Sequence, residues 1–417
     1  TQARGRLRAL QTLYDEVLNS AHSTLRRNTA RVLMQIMKDM VRAHGNQGKQ
    51  LRLAHDFRRT VQGTPRAVRQ MLARYHLPEM PEEWNQLAFD DHVYDANTLG
   101  RKSPTHLIMD AWIKGLRSLT VAYEYWVQPE AAREILRAAE ITGIAVRIGL
   151  EFHVPFYGRC ISLFWIPRGF SSNEDFLEFL HNPKLVEIMQ RGREVLRWRR
   201  RRVLQSLALW NARQRPQLEA TLGFAVPELT SEAFLRFVGR GQASAQHLAE
   251  ALHRHMLPVL RQRAAHLAAL NTEEARAELQ ALDAFGVEDV LEQWLSPLRH
   301  PEMPDLSNPA TARDLPALMQ LSVQELTREL ADLNPGYRLV LGTQDLKAED
   351  VAELLWDSQG CISHLEIFNM KGWMEGRQAH LKEISELQQA LNAGLGPRVK
   401  ELIRRMARRM DNQDEVR

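Results

Sequence analysis

Six residues able to ligate metals or move protons fall within one stretch of the chain: Asp90, Asp91, His92, Glu124, Glu151 and His153. Carboxylates and imidazoles hold ions such as Zn²⁺, Mn²⁺ and Mg²⁺ and act as general acids and bases near neutral pH. Each of the six lies at or beside the end of an expected strand. In a barrel of alternating strands and helices, polar side chains at successive strand ends converge on one mouth. Covalent catalysis finds no support: there is no G-x-S-x-G elbow, no Walker-type phosphate loop and no local signature around either cysteine.

The elements that must position these residues follow from local patterns. The acidic segment AFDDHVYD reads as a strand at about 89 to 94. Ser103 is a good helix N-cap, Pro104 suits the first helical position, and Gly115 closes the helix. RSLTVAY (117 to 123) reads as a buried strand, Pro129-Glu130 opens a second helix that closes at Gly143, and IAVRIGLEF (144 to 152) reads as a third strand. Two consecutive βαβ units imply parallel pairing with right-handed crossovers. A further strand, RCISLFWIP (159 to 167), follows a short connection. From about 172 to 300 the pattern is mostly helical, with one long helix from Pro183 to just before Pro216. Alternation resumes with strands at 337 to 343 and 364 to 368 around a helix at 348 to 356, and helices over about 378 to 410 end the chain. Residues 1 to 75 read as helices, since Leu7, Leu10, Leu13, Tyr14 and Val17, and again Val32, Leu33, Ile36, Met37 and Met40, recur at three- and four-residue steps. The proline-bearing segment HLPEMPEEWN (76 to 85) reads as a linker, which puts a boundary near 85.

Composition sets broader bounds. A chain of 417 residues, 44% hydrophobic and 25% charged, has the balance of an ordinary globular protein with a sizeable core. The 55 basic residues barely exceed the 51 acidic ones, so total charge says little about nucleic acid, and local clusters matter more. Cys160 and Cys361 lie far apart without CxxC spacing, which points to a reducing, cytoplasmic setting rather than a disulfide framework. No apolar run approaches the ~18 residues of a membrane span. Because position 1 is Thr, the sequence reads as a processed or excised piece of a longer protein.

The succession DDHVYD (90 to 95), the Ser103-Pro104 helix start, LTVAYEYWVQPEAAREILRAAEITGI (119 to 144) and IGLEF (148 to 152) resembles the polymerase and histidinol phosphatase family, the PHP domain. SAQHLAEAL (244 to 252) and HLEIFN (364 to 369) resemble later pieces of it. The resemblance implies an α/β fold, a distorted PHP-like (β/α) barrel over 86–417 with a helical insertion at about 172–320, after a helical segment 1–85. It also implies phosphoester hydrolysis with two or three metal ions. Taken position by position, His92 matches the first histidine of the family's Asp-x-His-x-His strand, while Tyr94 stands where the second would be. Ala122-Tyr123-Glu124 replaces Thr-Asp-His, with Glu124 at a histidine ligand position, and Glu151 matches the bridging glutamate of Gly-x-Glu. Leu341-Gly342-Thr343 stands where Ala-His-Pro would end a strand, and no closing Asp-x-His strand precedes Arg417. His92, Glu124 and Glu151 thus supply three ligands at most for a divalent ion such as Mn, Mg or Zn. The expectation is a degenerate, non-catalytic member, a pseudoenzyme with no cofactor, binding anions or scaffolding a larger protein. The alternative is a metal-dependent phosphoesterase with that reduced ligand set.

Two basic features bear on partners. Arg101, Lys102, Arg159 and Arg168 lie around the expected strand ends and would draw a phosphate-containing or other anionic ligand to the mouth. The segment 191–202 carries seven arginines around Trp198, and Arg199, Arg200, Arg201 and Arg202 would contact a nucleic-acid backbone if that helix binds one. Four consecutive arginines also point all round a helix, which fits a solvated face equally well. His253 and His255, two apart on a helix, face different ways and read as structural. The amphipathic, basic LIRRMARRM (402 to 410) suits a protein partner.

Overall fold

The computed structural model of the chain describes residues 2–83, 88–270, 272–306, 308, 310, 312–368 and 380–414. It is a mixed α/β protein whose strands, among the described residues, form a six-stranded sheet in the order β1-β2-β3-β4-β5-β6. No described helix is long and apolar enough to cross a membrane. The chain divides into two compact units: 1–123, 127–149 and 170–182 form the first, and 124–126, 150–169 and 183–417 form the second. Residues on both sides of the boundary expected near 85 belong to the first unit, and position 85 itself lies outside the described residues.

The first unit opens with α1 (Gln2–Ser20), α2 (Arg26–Arg42), α3 (Gln47–Val61) and α4 (Pro65–Arg74). Their apolar stripes meet: Val32, Ile36, Leu53, Val68, Met71 and Leu72 form one buried cluster between α2, α3 and α4. The proline segment does not swing free. Arg31, fully buried, donates to the carbonyls of Pro78 at 3.0 Å and Ile113 at 2.8 Å, and Glu82 accepts from the backbone N–H groups of Arg27 and Asn28 at the start of α2. A carboxylate there complements the orphan donors and the positive end of the helix. Burial lowers the Arg31 guanidinium to about 10.

Next come β1 (Phe89–Val93), α5 (Pro104–Lys114), β2 (Ser118–Glu124), α6 (Pro129–Thr142) and β3 (Ala145–Phe156). The helix boundaries are those the sequence predicts: Ser103 accepts from the His106 N–H, and Gly115 and Gly143 end their helices at φ 83° and 69°. β1 pairs parallel with β2, with an irregularity between Asp90 and Val93. Beyond β3 the pattern departs from strict strand-helix alternation. Tyr157 and Gly158, at φ 45° and 73°, make a tight turn, and β4 (Arg159–Ile166) returns antiparallel along residues 150–156 of β3. Two consecutive positive φ values match the right-handed twist of a hairpin, which is why a two-residue connection suffices. β5 (Arg338–Gly342) also pairs antiparallel with β4, and only β6 (His364–Glu366) restores a parallel step, to β5. Asn369, the last residue of the HLEIFN motif, lies outside the described residues.

α7 (Asn173–Phe179) completes the first unit. The helical insertion belongs to the second: α8 (Pro183–Leu209), α9 (Arg215–Leu222), α10 (Ser231–Val238), α11 (Ala245–Leu270), α12 (Glu273–Ala284) and α13 (Val287–Val290). The helical path does not stop before Pro216. A π turn, Trp210–Gln214, joins α8 to α9, and Pro216 falls in the first turn of α9, where its missing N–H is not needed. Val203, Leu207, Trp210, Phe234, Leu248 and Met256 anchor the core of this insertion. α14 (Val323–Leu333) and α15 (Ala348–Asp357) flank β5, and helices Leu381–Asn392 and Gly396–Asp414 end the described chain.

Candidate functional site

Three of the six chemistry-bearing residues meet in the second unit. Glu124 ends β2, and the chain turns at once: Tyr125 has φ 58°, the Trp126 N–H donates to the Glu124 carbonyl at 2.6 Å, and the Tyr125 N–H donates to the Glu151 carbonyl at 3.0 Å. A left-handed conformation is costly for a bulky side chain. Here it is held by a fully buried ring packed edge-on to Phe152 at 5.8 Å and against His153 at 5.9 Å. Alternation along β3 puts Glu151 and His153 on one face of the strand and Phe152 and Val154 on the other. Ser162, directly opposite His153 on β4, lies on that same polar face, and its hydroxyl donates to Glu151 Oε1.

Helix α8 closes over this face. Gly192 makes the approach feasible, since a Cβ there would stand 2.5 Å from the Tyr125 carbonyl oxygen. Two turns on, Arg199 reaches Glu124: Nη1 lies 2.6 Å from Oε1, Nη2 lies 3.4 Å from the Tyr125 hydroxyl, and the guanidinium carbon is 5.1 Å from the Tyr125 ring centre. Glu124 and Glu151 are each 4% exposed. Burial alone would lower the Arg199 guanidinium, but the nearby Glu124 carboxylate, Tyr125 and the hydrogen bond to Glu124 outweigh it and raise it above its ordinary value. Burial raises the Tyr125 phenol and the Cys160 thiol, and the Arg199 charge works against both shifts. Gln242 donates to the Glu124 carbonyl at 3.2 Å.

This donor set does not converge on an ion. Glu124 Oε1 lies 3.9 Å from His153 Nδ1, and Glu151 Oε1 lies 3.9 Å from His153 Nε2. The two ring nitrogens point in divergent directions, so one imidazole cannot present both to the same metal with a carboxylate beside each. A guanidinium, moreover, already stands against Glu124. Among the described residues no group of three His, Cys, Asp or Glu has the geometry to hold a metal ion.

Each of the other candidates has partners of its own. His92 is in the first unit, its Nε2 3.0 Å from the Tyr94 hydroxyl, so the tyrosine at the second histidine position is a hydrogen-bond partner of the first. Asp91 accepts from Thr120 at 2.9 Å, and fully buried Asp95 accepts from Tyr123 at 2.6 Å. Of the proposed anion ligands, Lys102 pairs with Asp110 and Arg159 with Asp350. Arg101 and Arg168 are exposed, and Asn334 brackets the Arg168 backbone, accepting from its N–H at 3.2 Å and donating to its carbonyl at 3.1 Å. Along the arginine run, Trp198 is 2% exposed and faces the core, Arg202 stacks on it at 5.1 Å, and Arg200 and Arg201 are exposed. His253 and His255 each hydrogen-bond a backbone carbonyl, of Phe285 and Pro227. No catalytic or ligand motif in the sequence singles out Tyr125, Ser162, Gly192 or Gln242. Only Ser162 carried a signal, through strand alternation opposite His153.

No family model matches the chain, and no curated protein matches it. Among solved structures, the chain is similar to a candidate metal-dependent phosphoesterase from Bifidobacterium adolescentis, with 14% identity over 72% of this chain and 83% of that one and a TM-score of 0.43. It is also similar to an amidohydrolase from Chromobacterium violaceum with bound sulfate and no metal, with 15% identity over 69% of this chain and 80% of that one and a TM-score of 0.42. At these scores neither likeness assigns a family or carries a function to this chain.

Proposed function

We propose that the chain is a non-catalytic, PHP-like module in which an internal arginine takes the role of the cation, and that it serves as a scaffolding part of a larger protein or complex. The observation that carries the reading is the Arg199 Nη1 to Glu124 Oε1 contact at 2.6 Å, made by a helix whose close approach depends on Gly192. A guanidinium cannot polarise a bound water into a nucleophile as a divalent ion does. With Glu124 paired to Arg199 and Glu151 bonded to Ser162, the carboxylates hold elements together. Scaffolding is favoured over anion binding because Lys102 and Arg159 both direct their charge to internal carboxylates.

The test is metal content by mass spectrometry on protein purified without chelators, together with phosphomonoester and phosphodiester turnover in Mn²⁺ for the wild type and Glu151→Ala. The expected result is metal well below one ion per chain and no turnover sensitive to Glu151→Ala. The alternative, a phosphoesterase using His92, Glu124 and Glu151, requires a stoichiometric ion and turnover abolished by that substitution, and finding both would overturn the proposal.

A further inference from the structure

The overall charge is close to balanced, yet residues 47–74, which cover α3 and α4, carry seven Lys and Arg against a single carboxylate, Asp56. That carboxylate is turned inward: it is 3% exposed, and it accepts from Arg74 at 2.8 Å and from the Tyr75 hydroxyl at 2.7 Å. Arg69 is matched by Glu79 at 2.8 Å. The remaining five cations, Lys49, Arg52, Arg58, Arg59 and Arg66, are all exposed. None of them makes an ion pair among the described residues.

Their arrangement is continuous. Arg52, His55 and Arg59 recur at i, i+3 and i+7 and share a flank of α3. Arg59 donates to Gln70 of α4 at 2.9 Å, and Gln70 shares a face with Arg66 four residues before it. From Arg52 to Arg59 the helix rises about 10 Å, so these charges are spread along a line rather than focused on a point. A small anion would be served by convergent donors. A line of separated guanidinium groups instead matches a polyanion with regularly repeated charges.

Two features narrow the class. α3 and α4 turn their apolar residues Leu53, Val68, Met71 and Leu72 into the cluster with α2, which leaves Leu51 as the large hydrophobic exposed beside the cations. An interfacial membrane helix needs a broad apolar face to insert, and this pair has already buried its own. Phe57, the one Phe, Tyr or Trp of α3 and α4, is packed against the α2 cluster, so stacking of single-stranded bases lacks a large aromatic platform. Arginine forks on phosphates need neither.

We infer that the outer face of α3 and α4 binds the phosphate backbone of duplex nucleic acid without reading its sequence. This inference is independent of the scaffolding proposal, since it concerns the first unit and needs no property of the Glu124 site. It assigns nucleic-acid contact to α3 and α4 rather than to the arginine run of α8.

The experiment is fluorescence anisotropy of a labelled mixed-sequence DNA duplex with the full chain across a salt series. Five phosphate contacts predict a slope of log K against log salt of about −4.5. The triple substitution Arg52→Gln, Arg59→Gln, Arg66→Gln is expected to reduce the slope by about 3 and to weaken binding to all sequences alike. The corresponding Arg→Lys triple keeps most of the slope, which separates loss of charge from loss of fold, and circular dichroism checks that both variants are folded. Salt-insensitive or absent duplex binding overturns the inference. So does full affinity in the folded Gln triple, or binding that is lost instead with Arg200→Gln and Arg201→Gln. Binding to phosphatidylserine vesicles but not to the duplex overturns it in favour of a membrane.

Discussion

In the first unit, Asp110 of α5 receives Lys38 of α2 at 2.7 Å and Lys102 from the segment just before α5, while Glu134 of α6 is gripped by Arg6 of α1 at 2.9 and 2.7 Å and by the Thr105 hydroxyl at 2.7 Å. In the second, Glu124 and Glu151 flank one imidazole, with the Arg199 guanidinium on Glu124 and the Ser162 hydroxyl on Glu151. The first arrangement fastens helices: each carboxylate joins elements distant in sequence, through cations still partly in contact with water. The second gathers carboxylates from two strands, Glu124 of β2 and Glu151 of β3, around one imidazole, and a single helix brings a cation to Glu124. Removing a cation therefore has different consequences in the two places. A half-exposed lysine lost from Asp110 can be replaced in part by solvent, whereas a guanidinium lost from Glu124 leaves a buried charge.

The largest effect is expected at Arg199. Arg199→Met keeps the apolar stem but deprives Glu124, 4% exposed, of that cation, and urea unfolding should show a loss of about 3 kcal/mol. Adding Glu124→Gln should restore much of it, since the double variant no longer strands a charge, and a double-mutant cycle measures the coupling. If the single and double variants are equally unstable, Glu124 is not the reason α8 docks as it does.

Next is the acid response of the first unit. Burial pushes the Asp110 carboxyl up, but the hydrogen bonds and charges of Lys102 and Lys38 outweigh it, so its folded value lies below the ordinary one. Glu134 behaves alike: burial raises it, and Arg6 and Thr105 lower it further than burial lifts it. A depressed carboxyl contributes stability that is complete above the unfolded value of about 4 and disappears as pH falls through the folded value. Asp110→Asn should therefore cost about 2 kcal/mol at neutral pH. The gap from the wild type should close as pH drops below about 4. Asp95 has the opposite sign, because burial raises its carboxyl despite hydrogen bonds from Tyr123 and Asn97 that lower it. Its contribution becomes more favourable as pH falls. A gap for Asp110→Asn that persists unchanged into acid would show the residue acting through packing rather than charge.

The difference between the two regions also separates what could be read in the sequence from what could not. Helix α5 was legible from Ser103, Pro104 and Gly115, and α6 from Pro129 and Gly143, because caps act within one turn. Glu151 and His153 were legible as neighbours, since strand alternation puts residues two apart on one face. The Arg199 to Glu124 pair was not, because 75 residues separate the partners and four consecutive arginines look alike until a helix docks. What selects Arg199 is the rotation of α8 set by Gly192 against Tyr125, and a glycine in a helix carries no local sign of what it touches. The hairpin at Tyr157 and Gly158 shows in the sequence only as a short connection, which does not by itself dictate the antiparallel return of β4.

The smallest effect sharpens the comparison along one helix. Arg201 lies two positions beyond Arg199 on α8, about 200° around the helix axis, and is exposed. Arg201→Ala should change stability by no more than about 0.5 kcal/mol, because an exposed cation remains solvated whether or not its neighbours do. Paired with the Arg199 result, it tests whether position around the helix, rather than arginine content, decides which charges matter. A loss at Arg201 approaching that at Arg199 would mean that the outer side of α8 also meets a charge in the folded protein, and that this run of arginines is held on both sides.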